Sequence, residues 1–473
     1  MASMTPEYDV RRHGQRHPFS DGEVVMITLA AVVGVWTRSS VGVGAVAVSV
    51  FLVGRRPAVL LACLVIGVAG GWRSQTTWDS AVPRHVGSYT GWATIVVDPA
   101  PFGGGLRVTV EVGGERFDAW AYGSPRRRLV DRQAGELVYV QGRRRLMVSN
   151  ARRAQIRHVV GQFDLGVVGD WREGSPLYRT SSRVRTALRR AAESTMGGDE
   201  AALFTGLVIG DDAREPIEMV DAFRASGLSH LTAVSGENVA FVLAAASPLL
   251  RRLRPWWRWA ATLGLIGWFM TLTRFEPSVL RAGIMAMLAC SSFVLGRQQA
   301  VVRLLALTVT ILVLVDPMLV WSVGFWLSTG ATAGVCVVAP PLADRLPGPQ
   351  WLRTPLSVTL GAQLGVMLPS SLVFHRLPLV SLPANLLAVP VAGFVMLFGI
   401  PGGLFAAVAP PLAPLVMAPC AVGTRWVNTI AYLAADNEPS PRWSAFGWVA
   451  VVAAIIALVL LHRWRRPPDD VPI

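Results

Sequence analysis

The chain has 473 residues, of which 52% are hydrophobic and only 16% charged, where soluble proteins carry roughly 25% charged residues. With a mean hydropathy of +0.45, this is the composition of a polytopic membrane protein, not of two or three soluble domains. No lysine occurs, so all 44 basic residues are arginine, which excludes a P-loop ATPase, a Schiff-base lysine and a pyridoxal anchor.

A polar tail (residues 1–23) is followed by three short apolar segments, Val24–Trp36, Val41–Val53 and Pro57–Trp72. The first has the length of a signal-peptide core, but no small-residue cleavage site follows it, so it is read as retained. After a polar stretch come nine further apolar segments: Leu228–Leu250, Trp257–Thr273, Ser278–Leu295, Val301–Val315, Val320–Ala339, Leu356–Phe374, Leu379–Ile400, Leu404–Val422 and Phe446–Leu461. A helix needs about 20 apolar residues to span a bilayer, and the pattern predicts an α-helical polytopic membrane protein of about 12 segments. Arginines set its orientation. Arg11, Arg12, Arg16, Arg55, Arg56, Arg251, Arg252, Arg254, Arg297, Arg303, Arg345, Arg353, Arg463, Arg465 and Arg466 all fall on one side of an alternating path. That side is the cytoplasmic one. Both termini are then cytoplasmic and the long polar stretch is external.

Within that stretch the period changes to two. Leu106, Val108, Val110 and Val112 alternate with polar residues and end at Gly113-Gly114, a strand entering a hairpin. Further strands are predicted at Ala93–Val97, Arg116–Tyr122, Glu136–Gln141, Arg145–Val148 and Ile156–Val160. Short strands at this spacing fit a small external β-barrel of the OB type over 84–170, with a sandwich fragment as the alternative. Two arginine runs interrupt it, Arg126-Arg127-Arg128 and Arg143-Arg144-Arg145. They read either as a solvated surface or as a polyanion site whose forks grip phosphates, with Trp92, Trp120, Tyr122 and Tyr139 as stacking faces. Residues 171–200 follow as a linker whose helix, Tyr178–Thr195, carries Arg179, Arg183, Arg185, Arg189 and Arg190; this predicts an amphipathic segment on a membrane surface.

Asp211, Asp212, Glu215, Glu218 and Asp221 form an acidic group. It reads as the cap and wet face of a helix opened by Pro216 rather than as a metal site. Cys63, Cys290, Cys336 and Cys420 stand singly, without zinc or disulfide spacing. His13 and His17 lack a zincin glutamate, so no metal or other cofactor is expected. In Leu228–Leu250 taken as a helix, His230, Glu237 and Asn238 share about a third of the circumference. Ser235-Gly236 would alternatively break the helix and expose backbone to a lumen. Arg281 lies near the external end of the span that begins at Ser278, and intramembrane polar groups of this kind face either a pathway or a packing partner. Gln363 and His375 are weaker cases.

The run Gly206-Leu-Val-Ile-Gly210-Asp211, followed by Gly227-Leu-Ser-His230-Leu-Thr-Ala-Val-Ser235-Gly236, resembles the ComEC competence family. Pro277-Ser-Val-Leu-Arg281-Ala with Met285, Asp316-Pro317 before Gly324-Phe325-Trp-Leu327-Ser328, and Pro383-Ala-Asn385-Leu-Leu-Ala-Val-Pro390 extend the resemblance. It implies a multi-pass channel of the cytoplasmic membrane (201–462, before a basic tail, 463–473) that carries single-stranded DNA inward during natural transformation. A cytoplasmic helicase-like translocase and external DNA-receptor proteins are the partners it implies. The family's S-G-L-H is Ser235-Gly236-Glu237-Asn238 here, which puts the role of its second histidine in doubt. The external domain lacks the paired cysteines of some members. No H-x-H-x-D-H of the family's metallo-β-lactamase-like domain occurs, so this reads as a short form that is not an enzyme, with any nuclease on another chain. The expected DNA contacts are the two arginine runs, and the expected path is His230, Ser235, Gly236, Glu237, Asn238 and Arg281. A small-solute secondary transporter is the rival, and an intramembrane protease using Ser235 and His375 a more distant one.

Overall fold

Residues 19–38, 56–147, 150–232, 235–374 and 377–465 are described by the computed structural model of the chain, with side chains to residue 457. The expected segment Val41–Val53, Ala233, Val234, His375, and the terminal Arg11, Arg12, Arg16 and Arg466 lie outside the described residues. Helix α1 (Asp21–Thr37) opens with a capping box in which Ser20 and Glu23 satisfy each other's backbone N–H. It runs parallel to α2 (Pro57–Asp79). A methyl group on Gly34 would overlap the carbonyl of Gly67, so glycine is what allows these helices to touch backbone to backbone.

The barrel consists of β1 (Gly87–Phe102), β2 (Gly105–Val112), β3 (Glu115–Ala121), α3 (Gly123–Leu129), β4 (Leu137–Leu146), α4 (Ala151–Ile156) and β5 (Val159–Arg172). It is a closed barrel in the order β1-β2-β3-β5-β4, in which β3 and β5 pair in parallel and the other neighbours are antiparallel. The expected hairpin at Gly113-Gly114 is present, both residues with positive φ. Ile95, Val110, Phe117 and Phe163 fill the interior, each worth roughly 1.5–3 kcal/mol of burial. The strands expected at Glu136–Gln141 and Arg145–Val148 are one strand, β4. Arg143, Arg144 and Arg145 are part of its ladder, paired to β1 and β5.

The rest is helical: α5 (Pro176–Thr195), α6 (Gly198–Ile209), α7 (Ile217–Ala225), α8 (Ser229–Thr232), α9 (Glu237–Leu250), α10 (Pro255–Leu272), α11 (Pro277–Val294) and α12 (Val301–Val315). A 3-10 turn (Pro317–Trp321) leads to α13 (Val323–Val337), α14 (Ala339–Ala343), α15 (Gln350–Phe374), α16 (Ser381–Val408), α17 (Ala413–Asp436) and α18 (Pro441–Arg465). Among the described residues, α2, α11, α15 and α16 are long and apolar enough to cross a bilayer. A fifth crossing is added if Pro410–Asp436 and Pro441–Ala457, bent by 106°, form one broken span. Helices α12 and α13 are apolar but have 15 residues each, about 22 Å against a core of roughly 30 Å. Helix lengths therefore support four or five full crossings where the sequence suggested about twelve. The expected segment Leu404–Val422 is divided: Pro401 is accommodated inside α16, and the chain turns at Pro410–Leu412 instead.

Helix α5 has one exposed face, with Arg179, Arg183 and Arg190, and one face packed into the protein. Leu188 is fully buried and Arg185 is 2% exposed, on the face that packs against α6, α10, α16 and α17. Helix α6 is buried throughout Ala201–Ile209, with Thr205 as its one polar side chain, and belongs to the main core.

Candidate functional site

Five helices are linked pairwise into a ring of contacts: α9 with α11, α11 with α13, α13 with α15, α15 with α16, and α16 with α9. The α13–α15 joint is a seam of glycines. A methyl group on Gly334 would overlap the Gly361 carbonyl, and one on Gly365 the Gly330 carbonyl. These are two G-x-x-x-G pairs in antiparallel contact.

At the ring's α9–α11 joint the chain is broken. Helix α8 ends at Thr232 and α9 begins at Glu237, with Gly236 as its N-cap, so the Leu228–Leu250 segment is not one helix. Asn238 is buried, donates to the Leu207 carbonyl at 2.9 Å, and accepts from the Ser235 hydroxyl at 3.1 Å. Arg281 is also buried; its Nε donates to the Ser328 hydroxyl at 2.9 Å, and its Nη2 stands beside Gly236. His230 and Glu237 are exposed. Thus Ser235, Gly236, Asn238 and Arg281 come together, while Glu237 and His230 stand outside their contacts. Among the described residues Arg281 makes no ion pair with Glu237. Ser328, on α13, is the member of this cluster that sequence reasoning assigned no role.

The two arginine runs occupy opposite ends of the barrel. Strand β1 begins at Gly87 against Arg144 and ends at Phe102 against Gly105. Arg126, on α3, donates to the Gly104 carbonyl at 3.1 Å, at the second end, and Arg128 to the Val168 carbonyl. Arg145 pairs with Asp164 at 2.6 Å and Arg144 lies over Tyr89. Arg127 and Arg143 are exposed and have no partner among the described residues. The face of Trp92 is covered by Arg172, whereas Tyr122 is exposed.

A buried charge cluster fastens the barrel to the helices, and no sequence spacing announced it. Asp98 on β1 pairs with Arg274 at 3.0 Å and Arg185 at 3.1 Å, and accepts from the Ala134 N–H. Arg185 also donates to the Ile209 and Leu272 carbonyls and pairs with Asp211, which Arg189 holds at 2.7 Å. Burial raises the Asp98 pKa, but Arg185 and Arg274 outweigh it and hold the carboxyl below the ordinary range. Arg274 and Phe275 adopt positive φ to form this turn, a backbone cost of order 1–3 kcal/mol each. Asp211 therefore serves this cluster and does not cap α7, whose N-cap is Pro216. Nearby, burial and then Asp212 and Asp211 push Glu215 up to about 8. A second fastening joins His158 to Asp316 at 3.0 Å. Among the described residues no group of three or more His, Cys, Asp or Glu side chains could hold a metal ion.

The family model described as Competence protein matches residues 207–467, more than half of the chain and the whole of the ring. The chain belongs to the Competence protein family. Three relatives are similar to this competence-family chain. Competence protein ComA of Neisseria gonorrhoeae is 27% identical over 449 residues, covering 84% of this chain and 60% of the relative. ComE operon protein 3 of Bacillus subtilis is 27% identical over 217 residues, 45% of this chain and 27% of the relative. The uncharacterized protein YcaI of Escherichia coli is 28% identical over 213 residues, 41% of this chain and 28% of the relative. The chain thus spans less than two thirds of the length of each. No solved structure matches it. The barrel lies N-terminal to the Competence match, and the Asp98 cluster joins it to the helical part.

Proposed function

We propose that this Competence-family protein is a conduit that carries single-stranded DNA across the cell membrane during natural transformation, and not an enzyme. The observation that carries the reading is the broken helix at Gly236 with a buried arginine, Arg281, beside the break, within a ring of contacts among five helices. A strand bears one negative charge per nucleotide and needs a cationic, polar path. A broken helix supplies backbone dipoles where it lines a cavity, and Arg281 supplies the charge. The barrel's strand order and its helix between β3 and β4 support an OB type, a fold that binds oligonucleotides. In this reading it is the external receiving domain, presenting Arg127 and Arg143. Parallel packing of α1, α2 and α12 supports the orientation. Arg56 and Arg303 reach Glu23 and Asp21 at one end, and Arg73 reaches the Leu314 and Val315 carbonyls at the other, next to the barrel's attachment at Asp316. A helicase-like translocase to supply motive force and external DNA receptors are the partners this reading requires.

The test is transformation of a deletion strain complemented with the wild-type chain or with single-cysteine variants. Cysteine at Glu237 should react with an aqueous thiol reagent, and the reaction should block uptake; cysteine at Leu243 should react poorly. Unchanged transformation on deletion would refute the function, and an inert Glu237→Cys would remove the break from the path.

A further inference from the structure

A cleft of about 790 Å³ lies between the barrel's β3–β4 connection, α5 and the turn joining α16 to α17. Its size is within the roughly 300–1,000 Å³ typical of ligand sites. We propose that this cleft holds the headgroup of an anionic glycerophospholipid, with the phosphodiester on Arg183 and Arg190 and the acyl chains leaving over the α16–α17 hairpin. The proposal rests on the reading of the helical block as membrane-embedded.

Arg183 and Arg190 are seven residues apart on α5, two helical turns, and so share one face. Both line the cleft, are exposed, and have no partner among the described residues. The other two arginines of the cleft are already engaged. Arg132 faces Glu136 at 3.6 Å and covers the Trp171 ring at 4.1 Å, while Arg179 pairs with Glu173 at 3.1 Å. Arg183 and Arg190 are therefore the cations of the cleft left to meet an anionic ligand, with Asp131 on the same lining.

The opposite wall has different chemistry. Ala406, Ala407, Pro410 and Ala413 form it, with no side-chain hydrogen-bonding group among them. The same two helices, α16 and α17, also carry exposed apolar surface. On α16, Leu387, Phe394, Phe398 and Phe405 are exposed at spacings of seven, four and seven, a stripe along one helix face. On α17, Leu415, Val422 and Trp426 repeat the pattern, and Val408 at the turn is 85% exposed. A ligand spanning both walls needs an anionic head and an apolar tail.

A nucleic-acid strand fits less well. Its bases need open aromatic faces, but Arg132 covers one face of Trp171, which leaves that ring 48% exposed, and Tyr178 is packed under Gly135, where a methyl group would overlap its ring. The alanine wall also offers a sugar-phosphate backbone no polar partner.

The experiment uses the full-length protein reconstituted in phosphatidylcholine vesicles containing a minority of phosphatidylglycerol. Native mass spectrometry of the released protein then counts retained lipid. The wild type should retain phosphatidylglycerol in preference to phosphatidylcholine. Arg183→Gln with Arg190→Gln should weaken retention by about 30-fold, the value for two basic residues at an anionic lipid surface. Ala407→Trp, which fills the cleft from its apolar side without changing charge, should have the same effect and covers the case in which the double variant fails to fold. Unchanged phosphatidylglycerol retention in Ala407→Trp, or equal retention of both lipids by the wild type, would overturn the proposal. So would a double variant that keeps its lipid but loses affinity for an oligonucleotide, since the cleft would then belong to DNA. Protein that fails to float with the vesicles would refute the membrane reading itself, an outcome distinct from intact incorporation without lipid preference.

Discussion

The Arg281 guanidinium lies so close to Gly236 that a methyl group there would stand 2.8 Å from Nη2 and 2.9 Å from the Cβ of Ala282. Gly236 has φ −61° and ψ −19°, which any residue adopts, so space and not backbone freedom requires the glycine. Gly236→Ala should displace Arg281 from Ser328 and lower transformation frequency by about tenfold at normal protein level, the equivalent of roughly 1.4 kcal/mol on a limiting step. Ser328→Ala leaves the space intact and should cost less. Transformation frequency normalised to immunoblot signal checks both, and equal effects would break the link between the glycine and the arginine.

The glycine seam between α13 and α15 gives a stability prediction. Gly334→Leu must push the helices apart, since the Gly361 carbonyl already occupies the Cβ position. Overpacking of this kind typically costs about 1–3 kcal/mol, occasionally more. Gly324→Ala, at the start of α13 with only the Ser322 hydroxyl at 3.9 Å, should change little. Thermal unfolding of the two variants in one detergent compares them directly.

Attachment of the barrel should depend on pH from both sides. The Asp98 carboxyl is held below its ordinary pKa chiefly against burial by Arg185 and Arg274. Its contribution is present above the unfolded-state pKa, about 4, and is lost as pH falls through the folded value. Glu215 acts in the opposite sense. Its folded pKa, raised by burial and by Asp212 and Asp211 to about 8, gives stability below the unfolded value that is lost as pH rises toward 8. Asp98→Asn should cost about 3–5 kcal/mol by leaving Arg274 without a carboxylate and Arg185 with Asp211 alone, and Glu215→Gln should flatten the alkaline decline. Limited proteolysis of the 173–175 connection across pH reads both; a flat profile in the wild type would contradict the assignment.

Salt dependence separates the free from the engaged arginines. Arg127→Gln and Arg143→Gln should each reduce the slope of log affinity for single-stranded DNA against log salt by about 0.7. Arg145→Gln should change it less, because Asp164 already neutralises that guanidinium at 2.6 Å. Identical slopes in all three would return both runs to ordinary solvated surface.

Local signals in the sequence carried the barrel well. The alternation from Leu106 to Val112 and the Gly113-Gly114 turn are period and backbone effects of neighbouring residues, and the strands formed where these pointed. The break at Ser235-Gly236 was legible as an alternative because glycine and serine weaken a helix wherever they fall. Arg185 was not legible. It stands on the inner face of α5 with Leu188 and Ala192, where an apolar residue is expected, and its partners at Asp98, Ile209, Asp211 and Leu272 hold the charge there. Three of these attractions run to backbone or to loops far along the chain, and periodicity carries no information about them. The ring likewise depends on which apolar helices adjoin, whereas each helix alone shows only that it is apolar. The division of Leu404–Val422 was missed because two prolines nine residues apart, Pro401 and Pro410, look alike in sequence, while packing accommodates the first and leaves the second to turn the chain.

The Asp98 clasp also sets an order of events during synthesis. Asp98 is made first, Arg185 follows, and Arg274 arrives 176 residues after Asp98, at the turn between α10 and α11. A barrel that has closed its own ladder can pair Asp98 with Arg185 once α5 is made, but the clasp is complete only when the turn after α10 delivers Arg274. Docking is then a late, long-range step of maturation, and loop closure over such a length adds only slowly to its entropic cost. Any chaperone or neighbouring chain that acts on this protein as it emerges meets the barrel as a folded but unattached body.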